Sequence, residues 1–108
     1  MIELRISEAA ALSIVEQADY YEQTASSDLA RRWEIAVEET MLSLLQLPER
    51  GAHCRFRSPI LTGLRWIPVS GFPRHMIFYR YLAREEAVLI VQVQYGARDL
   101  EAIFDPSE

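Results

Sequence analysis

The 108-residue chain contains no lysine, a single cysteine and only two histidines. One cysteine excludes an internal disulfide and leaves no Cys cluster for zinc, which is the usage expected in a reducing compartment. No apolar run approaches the ~20 residues that a bilayer-spanning helix needs. Met1 runs straight into Ile2-Glu3-Leu4-Arg5-Ile6 without a charged-then-apolar leader pattern, so a cytoplasmic location is expected. HExxH, a phosphate-binding glycine loop, a nucleophile elbow and Cys-x-x-Cys are all missing, and with them every strong catalytic signature. His53 and His75 read as surface residues of a loop and a strand end. Cys54 reads as an idle thiol, because no group can be named to orient a base for it.

What remains has an ordinary globular composition, half hydrophobic and a quarter charged. At this length one domain spanning 1–108 with one core is expected. The net charge of −5 argues against direct DNA binding by the chain alone. All eleven basic side chains are arginines, concentrated in the second half. Arginine's planar fork suits carboxylates and phosphates, so a local basic face is compatible with the acidic whole, although pairing with surface carboxylates is the simpler role.

Ile2, Leu4 and Ile6 alternate with Glu3 and Arg5, the period of a half-buried strand. Ser7 can cap a helix, with Glu8 favoured in its first turn. Ala11, Ile14, Val15, Ala18 and Tyr21 then recur at helical spacing, and Thr24-Ala25-Ser26-Ser27-Asp28 breaks the pattern. A second helix shows the stripe Ala30, Trp33, Val37, Met41 and Leu44 and ends before Pro48. The short connection makes an antiparallel hairpin, and Tyr20, Tyr21 and Trp33 read as packing aromatics. Residues 48–63 read as an irregular loop. Residues 64–69, 75–82 and 87–95 read as strands, with a turn at 70–73 and a polar loop at Arg84-Glu85-Glu86. Residues 98–104 read as a short C-terminal helix. The expected fold class is α+β: an N-terminal strand and an antiparallel helical hairpin packed on an antiparallel sheet.

On strand 87–95, simple alternation puts Leu89, Val91, Val93 and Tyr95 on one face and Val88, Ile90, Gln92 and Gln94 on the other. On its partner, Met76, Phe78, Arg80 and Leu82 share a face. An arginine among such neighbours asks for a partner, either in an ion pair with Asp99 or a helix carboxylate, or as a functional cation. Gly96 tolerates the positive φ of a sharp exit, beyond which Arg98 and Asp99 follow.

Arg65, the stretch Phe72-Pro73-Arg74-His75-Met76-Ile77-Phe78-Tyr79-Arg80, and Val93-Gln94-Tyr95-Gly96-Ala97-Arg98-Asp99, preceded by the long helical hairpin, resemble in order and spacing the ParE branch of the RelE/ParE toxin superfamily. Tyr95 stands where many members have His. The resemblance implies a toxin of a type II toxin–antitoxin module that binds and inhibits DNA gyrase and works without cofactor, metal or membrane. It further implies a ParD-like antitoxin in a hetero-oligomer, whose C-terminal segment lies across hairpin and sheet as a helix in a groove or an added strand. It points to Arg65, Arg74, Arg80, Tyr95 and Arg98 as target-binding residues. The RelE-like alternative is a ribosome-dependent mRNA endoribonuclease, in which Arg65, Arg80, Tyr95 and Arg98 are catalytic. A degenerate member that only binds an antitoxin is the third reading.

Overall fold

The computed structural model describes residues 1–54 and 62–96. Its elements are β1 (Glu3–Ile6), α1 (Glu8–Thr24), α2 (Ser27–Ser43), β2 (Ala52–His53), β3 (Arg65–Val69), β4 (Phe72–Leu82), a 3₁₀ turn (Ala83–Glu85) and β5 (Ala87–Tyr95). The expected C-terminal helix, with Arg98 and Asp99, lies outside the described residues.

Serines start both helices. The Ser7 hydroxyl accepts from the Ala10 amide at 3.0 Å, and that of Ser26 accepts from Leu29 at 3.0 Å. Each satisfies an amide that the first helical turn leaves unpaired. Ser7 also donates its hydroxyl proton to the Val91 carbonyl at 2.8 Å, fastening the start of α1 to the sheet. The α2 stripe is buried as expected, from Ala30 to Leu44. The α1 stripe is rotated from its expected position. Ala10 and Ala18 are buried and Ile14 and Tyr21 pack beside them, whereas Ala11 and Val15 face solvent.

The five strands run in the order β1-β5-β4-β3-β2. The meander β3-β4-β5 is antiparallel, as expected, but β1 joins β5 in parallel (Glu3↔Ala87 to Ile6↔Ile90), so the sheet is mixed rather than wholly antiparallel. The expected irregular loop also contains β2, which pairs with Arg65 and Trp66 at the far edge. Pro68 lies past the reach of β2, where its missing N–H breaks no pairing.

The hairpin covers one face of the sheet. Ile67, Val69, Ile77, Tyr79, Val88, Ile90 and Val93 meet the α2 stripe, with the Trp33 indole donating to the Ile14 carbonyl at 3.1 Å. A bulge controls which side chains of β5 arrive there. Phe78 pairs with Gln92 but Tyr79 pairs with Ile90, so Val91 is extra. The face therefore switches at Val91. Val93 joins Val88 and Ile90 in the core, and the expected grouping of Val93 and Tyr95 with Leu89 and Val91 is corrected. Gln92 closes the bulge, its amide oxygen accepting from the Val93 amide at 2.9 Å and from the Ser13 hydroxyl at 2.8 Å.

Candidate functional site

The expected site residues separate into groups. Arg65 shares the helix-facing side of β3 with Ile67 and Val69, beyond the end of α2. Its guanidinium donates to the carbonyls of Glu49 at 2.8 Å and Gly51 at 2.9 Å, and lies 3.7 Å from the Glu49 carboxylate. Two neutral acceptors and a carboxylate leave this fork committed to holding the segment after α2. Arg65 pairs with Tyr79, so Arg80, the next residue, projects from the opposite face of the sheet. There the Arg80 guanidinium donates to the Thr62 carbonyl at 2.5 Å. Arg65 and Arg80 thus do not converge on one phosphate-sized volume. Arg98 lies outside the described residues.

Arg74 and Tyr95, by contrast, lie at the same end of the sheet and border one cleft, although alternation from the His75↔Tyr95 pair turns the Arg74 side chain to the other face. The β4–β5 register sets His75 opposite Tyr95, and the Gly96 amide donates to the Arg74 carbonyl at 2.8 Å. Gly96 adopts φ +80°, the left-handed turn that permits the exit from β5. Tyr95 is 60% exposed, and its ring centroid is 4.9 Å from that of His75. His75 is 3% exposed, not the surface residue its position suggested. Its Nε2 lies 2.8 Å from the Tyr21 hydroxyl of α1, and its ring is 4.3 Å from Trp33 and 6.2 Å from Phe72 between centroids.

Burial pushes the His75 imidazole pKa below its ordinary value, which favours the neutral ring. The same desolvation raises the Tyr21 phenol, and the neighbouring Tyr95 and Tyr20 add to the rise. Either tautomer of the neutral imidazole can pair Nε2 with the Tyr21 hydroxyl, as acceptor or as donor. The visible surface here is Tyr95, with Arg74 and Pro73 across a cleft of about 300 Å³. Alternation with Ile77 and Tyr79 could have placed His75 inward. Its contact with Tyr21, 54 positions away, had no local signal.

The other sites offer less. His53 is exposed on the edge strand β2, beside Glu49 and Arg65. The Cys54 thiol is pushed up to about 11, mainly by burial and against the opposing charge of Arg80, which suits an inert thiol. A cleft of about 600 Å³ lies between the end of α2 and β3. Two of its hydroxyls are already engaged: Thr40 donates to Ala36 and accepts from the Ser70 amide, and Ser43 donates to Thr40 and accepts from Arg50. Among the described residues no three His, Cys, Asp or Glu side chains cluster to hold a metal ion. Nor is any helix among them long and apolar enough to cross a membrane.

The arrangement is one of exposed Arg74 and Tyr95 beside a buried and half-buried cluster of His75, Tyr21, Trp33 and Phe72. Comparison with known proteins agrees with the fold that carries it. The toxin chain of the chromosomal ParDE toxin–antitoxin system from P. aeruginosa superposes with a TM-score of 0.72 at 18% identity, covering 90% of this chain and 98% of that one. A chain of the intact E. coli RelBE toxin–antitoxin complex matches with a TM-score of 0.57 at 13% identity, over 91% of this chain and 100% of that one. The isolated E. coli RelE toxin matches with 0.57 at 12% identity, over 99% and 98%. A search of curated protein sequences finds no match. The family model for the ParE toxin of the type II toxin–antitoxin system parDE matches residues 4–100, nearly the whole chain, and the chain belongs to that family of toxins.

Proposed function

We propose that this toxin acts by binding and inhibiting DNA gyrase, without nuclease chemistry, and that a ParD-like antitoxin neutralises it in the cytoplasm. The observation that supports binding over cleavage is the separation of Arg65 and Arg80 onto opposite faces of the sheet, with Arg65 committed to backbone carbonyls. Cleavage at a ribose 2′-hydroxyl needs a base, a phosphate clamp and a leaving-group acid around one reacting centre. The buried His75, held against Tyr21, is poorly placed to serve as that base. Of the residues expected to bind the target, Arg74 and Tyr95 are exposed and border one cleft, and they are the contacts we assign. Arg98, outside the described residues, is kept as a target contact on the family resemblance.

Expression of the chain alone should arrest growth with filamentation and an SOS response, and the purified chain should inhibit gyrase supercoiling. Co-expression of the adjacent short open reading frame should restore growth. Messages cut in the ribosomal A site, with supercoiling unaffected, would establish the nuclease reading instead. Unaffected growth would leave only antitoxin binding.

A further inference from the structure

Among the described residues, β5 is only half covered on its β1 side. β1 pairs with Ala87–Ile90 and stops. Ser7 then closes the join, its amide donating to the Ile90 carbonyl at 3.0 Å and its hydroxyl to that of Val91. Beyond this point the Val93 amide is satisfied by the Gln92 side chain, not by a strand. The Gly96 amide bonds to Arg74 on β4, so by alternation the amide and carbonyl of Tyr95 point to the uncovered edge. An extended segment could continue the pairing that β1 leaves off.

Two clefts lie along that edge. One, of about 330 Å³, is lined by Gln17, Tyr20, Tyr21 and Tyr95. The other, of about 300 Å³, shares Gln17, Tyr20 and Tyr95 and adds Glu16 and Val93. They form one groove walled by two tyrosines, 59% and 60% exposed, above a third whose hydroxyl is fixed on His75. Tyr20 lies 6.1 Å from Tyr21 and Tyr95 4.9 Å from His75 between ring centroids.

We propose that this groove binds an arginine or lysine side chain carried on an extended segment of a protein partner. Tyrosine faces present negative potential to a cation, and several around one pocket form a cage. Glu16 places a formal negative charge at the wall. Among the described residues, the arginine at this end of the sheet is Arg74, which lines the neighbouring cleft rather than this groove. An anionic ligand such as RNA phosphate would meet Glu16 first. The strand edge supplies main-chain hydrogen bonds, and the tyrosine cage selects the side chain between them. That the partner is the antitoxin rests on the function proposed above. The site itself does not.

The test uses the isotope-labelled full chain, made by cell-free synthesis, and blocked pentapeptides of sequence Thr-Val-Arg-Val-Thr with norleucine or glutamate replacing the arginine. The arginine peptide should shift the amide resonances of Val91–Gly96 and Gln17–Tyr21 and bind about fivefold tighter than the norleucine peptide, the scale of a cation–π contact beside a carboxylate. That preference should disappear in Tyr95→Ala and Glu16→Gln, whose side chains stand at the surface, and persist in Glu34→Gln on α2. Equal binding of the norleucine or glutamate peptide overturns the proposal, as do shifts mapping elsewhere, an RNA hexamer displacing the peptide, or no shift at millimolar peptide. The peptides report on the groove whether or not the chain is toxic, so failure here and failure of the gyrase reading are distinguishable.

Discussion

Gly51→Ala is expected to cost about 2–6 kcal/mol, although Gly51 sits in a short connection and exchanges one hydrogen for a methyl group. A Cβ at this position would stand 2.5 Å from the Tyr79 hydroxyl oxygen, 2.7 Å from its Cε1 and 2.9 Å from its Cζ. Tyr79 is fully buried and its hydroxyl accepts from the Gly51 amide at 2.8 Å, so the ring can yield only by disturbing the core and losing that bond. Overpacking contributes about 1–3 kcal/mol, and a buried donor left unpaired about the same again. The backbone of Gly51 is not in the left-handed region, so conformational strain adds nothing. Against a total stability of about 5–15 kcal/mol the loss is large, and it lowers the melting temperature by at least about 8 °C. Urea and thermal unfolding of the purified chain measure it. Tyr79→Phe removes the nearest atom but leaves Cε1 and Cζ in place, so Gly51→Ala in that background should cost less, with a coupling of about 1 kcal/mol or more. A Gly51→Ala variant within about 0.5 kcal/mol of the parent would refute the reasoning, because exposed substitutions without such a contact fall in that range.

His75 should make stability depend on pH. Its folded-state pKa is depressed by burial, so the unfolded chain binds its proton first, and stability falls as pH drops below the ordinary value near 6.5 towards the folded value. One proton limits that slope to about 1.4 kcal/mol per pH unit, and urea midpoints of the parent minus those of His75→Gln across pH 5–8 should show it. Arg65→Ala should destabilise by about 1.5–3 kcal/mol, through loss of its charged bonds to Glu49 and Gly51, whereas Arg74→Ala should leave unfolding within about 0.5 kcal/mol and weaken gyrase inhibition. A stable Arg65→Ala would show that the fork is not structural. The Cys54 thiol should react sluggishly with iodoacetamide at neutral pH, its rate climbing until pH reaches about 11; a plateau near pH 8 would contradict the burial argument.

The legible parts of the fold were those with one answer at short range. On α2 a single register buries Trp33, Val37 and Leu44, and that is the register found. On α1 the run Ala9-Ala10-Ala11 permits neighbouring registers of nearly equal hydrophobicity, and contacts with the sheet chose Ala10. The partner of β1 lay more than 80 positions away, set by how the hairpin packs rather than by any feature of Ile2–Ile6. The bulge at Val91 was not legible at all. Val88 to Tyr95 is apolar enough on both faces to look like plain alternation, and only the pairing register exposes the extra residue.

The candidate site follows the same division, and the register explains why the arginines split. Arg65 and Arg80 are both strand arginines among large apolar neighbours, and nothing within either strand says which face each occupies. The pairing Arg65↔Tyr79 decides it, because direct partners share a face and Arg80, one step on, takes the other. Arg65 then falls beside the Glu49 and Gly51 carbonyls. A second one-residue effect works at the far end of the sheet. Without the extra Val91, alternation from Val88 and Ile90 would turn Tyr95 to the face opposite the helices. With it, Tyr95 lies on the helix side, against His75 and within reach of Tyr20 and Gln17. One pairing register thus separates the cations that a nuclease would need together, and one bulge assembles the aromatic surface that a protein partner could grip.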